Sequence, residues 1–252
     1  MPTRRHRPII TLTSDFGLCD PYVAEMKAVL LQYCPDAQLV DVTHGIAPQD
    51  IVGASVVLER VVAAFPPRTS HLVVVDPGVG SGRKLLVWSV RRQIVVCPDN
   101  GLITWPLRRL DSGKCSELTW RPAETSDTFH GRDILAPAAG KLAAGGRLRD
   151  LARPMKSPVL LDIAPSTTSS GYILHVDHFG NATTNIPAAV AGRGIVRVGG
   201  KAIGTIRETY SDVHPGDALA LIGSSGLVEV AIRNGSAAEK LKLKAGTPVR
   251  IG

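Results

Sequence analysis

The stretch HLVVVDPGVGSGRKLLVW, residues 71–88, carries the reading of the fold. Four apolar residues, Leu72 to Val75, run without alternation into Asp76; Gly78, Gly80 and Gly82 turn the chain, and Arg83 and Lys84 lead into a second apolar run. A strand that is apolar on successive residues is buried on both faces, as happens in sheets covered by helices on either side. Open α/β sheets bind their ligands at the carboxyl ends of such strands. Asp76 and Arg83, at the two ends of one tight loop there, are therefore the first candidate pair. TFHGRDILAPAAG, residues 128–140, adds His130 immediately before an expected helix. An acid, a fixed cation and an imidazole together suffice to position and polarise a small nucleophile.

Working outward, the first 150 residues alternate strand and helix signals. Pro8 to Thr13 predicts a first strand. Asp20 reads as a cap with Pro21 at the first helical position, opening a helix with Met26, Val29 and Leu30 on one face. Ala37 to Val42 predicts a second strand, and Pro48 to Ala64, apolar at Ile51, Ala54, Val57 and Val61, an amphipathic helix. Leu85 to Val90 and Ile94 to Cys97 join Leu72 to Val75 as interior strands, and Ile134 to Ala144 is a helix closed by Gly145 and Gly146. The grammar is that of a largely parallel sheet covered by helices.

After Leu151 the texture changes. ARPMKSP and APSTTSSG are rich in proline, serine and threonine, and beyond them lie short strand-like runs punctuated by glycine: 171–177, 194–198, 202–206, 218–223, 227–233 and 248–251. These predict a small antiparallel β-barrel or sandwich, joined to the first domain between Pro154 and Ser170. The expected organisation is an amino-terminal α/β domain over 1–158 and a carboxyl-terminal β domain over 159–252.

With 252 residues and 44% hydrophobic composition, the chain can bury a real core. No apolar run reaches the roughly 20 residues that span a bilayer. The basic start MPTRRHRP passes straight into IITLT without a signal-type apolar region, so a cytoplasmic location is expected. Cys19, Cys34, Cys97 and Cys115 are widely spaced, which indicates neither a zinc site nor a disulfide framework. The net charge of +7 raises nucleic-acid binding, but the basic residues fall in small groups (Arg4-Arg5, Arg91-Arg92, Arg108-Arg109, Lys240 to Lys244) and aromatics are only 4% of the chain. A solvated basic surface accounts for them, and neither nucleic acid nor membrane is an expected partner.

Several polar clusters close predicted strands. Asp15 in TSDFG stands where an acid can accept two hydrogen bonds from ribose hydroxyls; its plainer reading is a turn. His44 and Asp50 in DVTHGIAPQD read more simply as a turn hydrogen-bonder and a helix-entry charge, and Asp99-Asn100-Gly101 as a turn. The loop glycines fit neither G-x-G-x-x-G nor G-x-x-x-x-G-K-[ST], so dinucleotide and triphosphate binding are unsupported. A metal site from Asp76, His44, His130 and Asp133 is conceivable, without any paired spacing to support it. DHFGNATTNI, residues 177–186, sets Asp177, Asn181 and Asn185 around Phe179, an aromatic among amides that suits a purine; an Asx-capped turn is the alternative. Ser224 and Ser225 add a weak small-ligand signal.

The ordered set TSDFG-x2-DPYVAEMKAVL, DVTHGIAPQDI, VVDPGVGSGR, VCPDNGL, FHGRDILAPAA, DHFGNATTNI and GSSGLVEVA resembles the S-adenosyl-L-methionine (SAM) hydrolases that form adenosine, or SAM hydroxide adenosyltransferases, relatives of the fluorinase and chlorinase. It spans the chain from about Ile9 to its end. The resemblance implies an α/β domain followed by a β-barrel, a homotrimer, and a ligand between the amino-terminal domain of one subunit and the carboxyl-terminal domain of its neighbour. It implies that Asp76, Arg83 and His130 hold the attacking water or hydroxide, that Asp15 binds the ribose, that Asn185 reads the adenine edge with Phe179 close by, and that Asp177 and Ser224 meet the methionine end. In the halogenating relatives tyrosine-type residues occupy the positions of Asp76 and His130, a serine that of Gly131, a tryptophan that of Gln49 and an arginine that of Ser225. An acid at the nucleophile position repels halide and accepts a hydrogen bond from water.

The chemistry that the resemblance implies is one that these residues can carry. A sulfonium is already a good leaving group, so the task is to bring an oxygen nucleophile in line with ribose C5′. Arg83 stabilises hydroxide character, and His130 and Asp76 orient the water or take its proton. No metal or redox cofactor is required. The expected reaction converts SAM and water to adenosine and L-methionine; halogenase-like substitution and a non-catalytic SAM or nucleoside sensor are the alternatives.

Overall fold

The computed structural model describes residues 7–110 and 113–252, and the chain divides into two compact units at Asp162 and Ile163. The Arg4-Arg5 pair lies outside the described residues.

The first unit holds β1 (Ile9–Ser14), α1 (Tyr22–Tyr33), β2 (Gln38–Thr43), α2 (Ile51–Ala64), β3 (Ser70–Val74), β4 (Leu85–Val90), β5 (Gln93–Pro98), α3 (Thr104–Arg109), β6 (Lys114–Leu118), α4 (Ala136–Ala143) and β7 (Ala152–Pro154). The strands form one sheet in the order β2-β1-β3-β5-β4-β6-β7. The pairs β2-β1, β1-β3 and β3-β5 are parallel; β4, β6 and β7 extend the sheet antiparallel. The unbroken apolar run Leu72 to Val75 has its explanation here. Leu72 and Val74 enter one core with Met26, Leu30, Ile134 and Leu135, while Val73 and Val75 enter another with Ala54, Leu58, Trp88 and Ile103. The period of two of a strand thus feeds two separate helical layers.

Helix ends depart slightly from the sequence reading. α1 begins one residue later than expected: Pro21 is the N-cap, its carbonyl accepting from Glu25 N at 2.9 Å, and it makes no side-chain cap bond. α2 begins at Ile51 and not at Pro48, because Gln49 sits at φ +67 and breaks the helical path. Asp50 then caps the helix by accepting from Gly53 N at 2.8 Å. α4 closes on Gly145 at φ +94, with Gly146 N bonded to Lys141 O and Gly145 N to Leu142 O, a Schellman arrangement.

The second unit is a closed barrel of β8 (Ser170–Val176), β9 (Ala182–Pro187), β10 (Ile195–Val198), β11 (Lys201–Arg207), β12 (Ala218–Ile222), β13 (Leu227–Ile232) and β14 (Pro248–Ile251), in the order β10-β11-β12-β13-β9-β8-β14. Six pairings are antiparallel and β11-β12 is parallel. Ile173, Ile186, Val196, Val228, Val230 and Val249 fill the interior, and closure of the barrel removes the free sheet edges. Among the described residues no helix is long and apolar enough to cross a membrane.

Candidate active site

The strand order locates the site before any side chain is considered. From β1 the chain passes through α1 to β2 on one flank, then through α2 to β3 on the other flank of β1. Between the carboxyl ends of β1 and β3 the connections diverge, which opens a crevice. A cleft of about 740 Å³ lies there, lined among others by Asp15, Gln49, Asp76, Phe129, His130 and Arg132. Asp15 directly follows β1; Asp76 follows the end of β3.

The glycine loop runs from Asp76 to Arg83 and joins β3 to β4, which are not neighbours, so it arches over the end of β5 between them. Bonds from Val79 N to Asp76 O at 3.2 Å and from Ser81 Oγ to Gly78 O at 2.6 Å tighten it. Gly80, at φ +78, has to be glycine on two counts, since a Cβ there would also meet Asp127 O at 2.8 Å. Arg83 closes the loop as a fork on Asp76, with Nε donating to Oδ1 at 2.6 Å and Nη2 to Oδ2. Nη2 also donates to His130 Nδ1 at 3.0 Å.

A guanidinium has no acceptor, so Nδ1 of His130 accepts and the ring proton is assigned to Nε2. Burial pushes the His130 pKa below the ordinary imidazole value; the charge of Arg83 pushes the same way, and Asp76 opposes it. The arrangement is therefore a carboxylate, a guanidinium and a neutral imidazole in one chain beside the cleft.

His130 precedes a single π turn, Gly131–Leu135, that runs into α4. Such turns carry one wider loop of backbone and recur at functional sites. Gly131 lets this turn seat against β3, because a Cβ would meet Val74 Cγ1 at 3.0 Å.

Asp15 accepts from Gln49 N at 2.8 Å, so the left-handed Gln49 that ends the approach to α2 also orients this acid. His44 is structural: buried, it bonds Ser14 Oγ at 2.8 Å and Asp41 Oδ1 at 3.0 Å, and its carbonyl receives Gly17 N. Asp133 is bound to Arg132 and to Ser126 N. His44 and Asp133 are thus committed elsewhere, and the conceivable four-residue metal set does not assemble.

Sequence reasoning missed an aromatic corner. Phe16, Tyr22 and Phe129 meet edge-on or tilted, with ring centroids 5.3–5.7 Å apart, along the cleft wall. Arg132, paired with Glu25 at 2.7 Å and Asp133 at 2.6 Å, stacks over Phe129 at 5.0 Å and fixes that ring. The available signal was that each aromatic lies within one or two residues of a polar motif residue already singled out.

The remaining predicted residues lie in the barrel unit. Asp177 caps the turn between β8 and β9, accepting from Phe179 N at 2.9 Å, Asn181 N at 2.8 Å and Asn181 Nδ2 at 3.2 Å. Phe179 is 73% exposed at the tip of that turn. Ser224 is exposed in the turn between β12 and β13. Asn185 is buried and away from these tips, its Oδ1 accepting from Tyr172 N at 2.9 Å and its Nδ2 donating to Ala164 O at 2.9 Å.

Comparison with known proteins finds similarity over nearly the whole chain. The family model for the SAM hydroxide adenosyltransferase N-terminal domain matches residues 10–152, and that for the C-terminal domain matches residues 171–250. A protein from Thermus thermophilus named (R)-S-adenosyl-L-methionine hydrolase is 41% identical, covering 97% of this chain and 99% of its own length. A fluorinase from an Actinoplanes species is 27% identical, over 97% of each. The crystal structure of an uncharacterized conserved protein from Thermotoga maritima superposes with a TM-score of 0.89 at 35% identity, covering 97% of this chain and all of the other.

Proposed function

The chain belongs to the SAM hydroxide adenosyltransferase family, and we propose that it hydrolyses S-adenosyl-L-methionine by attack of water at ribose C5′, giving adenosine and L-methionine. The observation that carries this is the Asp76–Arg83–His130 chain at the switch-point cleft.

The division of labour follows from the bonds. Nδ1 of His130 is taken by Arg83 and Nε2 holds the proton, so the ring orients the water by donating to it. Each Asp76 oxygen keeps a second lone pair beyond its bond to Arg83, so the carboxylate is the acceptor for the water proton. The oxygen forms its bond to C5′, the C5′–S bond breaks, and the pair returns to the methionine sulfur, which needs no acid. Arg83 holds acceptor and imidazole in one geometry and stabilises developing hydroxide.

Asp15, oriented by Gln49, takes the ribose hydroxyls. Phe179 offers a face to the adenine, and Asp177 with Ser224 meets the methionine end. Asn185 keeps one Nδ2 hydrogen and one Oδ1 lone pair beyond its bonds to Ala164 O and Tyr172 N, and takes the adenine edge. The name of the Thermus relative specifies the R sulfonium epimer, and we assign that epimer as the substrate here. Assembly as a homotrimer and a cytoplasmic location belong to the same proposal; the 76% exposure of Leu18 and 73% exposure of Phe179 support burial against a second copy.

The test is a reaction in heavy-oxygen water with the separated sulfonium epimers, followed by mass spectrometry. Label in the 5′-hydroxyl of adenosine, none in methionine, and preference for the R epimer are expected. Unlabelled adenosine, a halogenated nucleoside or no adenosine would overturn the assignment.

A further inference from the structure

The loop from Asp76 to Arg83 stands on two footings, Val75 and Lys84, and each is gripped by one of two adjacent residues at the end of β5. Asn100 Nδ2 donates to Val75 O at 2.8 Å, and Asp99 N donates to Lys84 O at 3.0 Å. This follows from the strand order: β5 lies between β3 and β4, so its carboxyl end is directly under the arch. We propose that Asn100 is a positioning residue for the nucleophile-holding pair, fixing the carbonyl that precedes Asp76 and so the reach of its carboxylate toward Arg83 and the water; the proposal rests on the hydrolase reading above.

An asparagine in a turn normally bonds its own neighbouring backbone. Asn100 instead reaches back 25 residues. Its Oδ1 is buried with no partner among the described residues. Burying half an amide unsatisfied is unfavourable, so the single bond to Val75 is what an amide at this position provides. Asp99 is itself held, its carboxylate accepting from Val159 N at 2.8 Å, which makes the grip on Lys84 equally firm. A turn alone would be served by aspartate, serine or glycine; the donor aimed at Val75 would not.

The experiment compares Asn100→Ala and Asn100→Asp with the wild type and with each change in an Asp76→Ala background, using SAM turnover per folded molecule. Alanine removes the donor, and an ionised aspartate replaces it with an acceptor of the same shape. Both are expected to lower kcat about ten- to a hundredfold, since misplacement of a reacting group by an ångström is that costly, with KM for SAM within about twofold. In the Asp76→Ala background neither should lower the rate further. Backbone amide exchange across Gly78 to Lys84, measured without substrate, should quicken in the variants. An unchanged kcat, or an equal loss in the Asp76→Ala background, overturns the proposal. Should Asn100→Ala fail to fold, Asn100→Asp decides. Should the wild type show no turnover, the hydrolase reading fails, and unchanged amide exchange in the variants would then separately overturn the grip on the loop.

Discussion

His71 and His130 lie near opposite ends of β3, and burial lowers the pKa of both. At the amino end, His71 is sealed: Thr11 Oγ1 lies 2.7 Å from Nδ1, and Nε2 is 2.8 Å from Gln93 Oε1, whose own amide donates to Val62 O and Phe65 O. The partners are neutral, both ring nitrogens are satisfied, and the ring is fully buried. At the carboxyl end, His130 has one nitrogen on Arg83 and borders the cleft. A perturbed imidazole is therefore not in itself a mark of function; a charged partner and an open second nitrogen are what separate the two.

Exchanging the two histidines for alanine gives the strongest test of that contrast. His130→Ala, like Asp76→Ala, should lower kcat about a hundredfold or more with little change in thermal midpoint. His71→Ala should do the reverse, losing roughly 3–5 kcal/mol of stability through a cavity and two orphaned partners while the folded fraction retains its turnover. Steady-state kinetics beside denaturant unfolding checks both. Loss of turnover in folded His71→Ala would erase the distinction.

Titration sharpens it further. The His71 pKa is pushed down from 6.5 to about 4, so between those values the unfolded chain binds a proton that the folded chain refuses. Stability should then fall as pH drops through that window, by roughly 3 kcal/mol at about 1.36 kcal/mol per pH unit. His71→Gln should flatten the slope, as read from urea midpoints at several pH values. Activity follows the other ring: because neutral His130 is favoured, the acid limb of kcat should lie below the ordinary imidazole range and shift when Arg83 is replaced.

The smallest effect is expected at His44, which stands at the carboxyl end of the sheet yet has both ring nitrogens occupied, by Ser14 and by the Asp41 carboxylate. His44→Ala should raise KM for SAM about fivefold by loosening the segment that carries Asp15, with kcat unchanged. A kcat loss as large as that of His130→Ala would place it in the chemistry.

The interior strands were readable because Leu72 to Val75 and Leu85 to Val90 have no polar face to misplace. β9 was not: ATTNIP buries Thr184 and Asn185 by bonding them internally, so a barrel strand looks like part of a polar turn. The antiparallel direction of β4 against β5 was equally hidden. Their two-residue turn is Arg91-Arg92, at φ +47 and +60, where asparagine and glycine are the usual signals. β6 and α3 offered too little apolar periodicity over five and six residues. At the site, strand ends and motif order pointed to Asp15, Asp76, Arg83 and His130. Asn100 stayed concealed because its partner is remote in sequence and its neighbours spell a turn.

The π turn after His130 holds one residue more than an α-helical turn would need. Deleting a single residue from Gly131–Leu135 would restore a regular helix and leave α4 seated on α1, but everything upstream would be rewound by about 100°. His130 would leave Arg83 in one step, with its chemical identity intact. The direction of this imidazole is thus set by the extra residue of the backbone turn, which no substitution at position 130 can supply or replace.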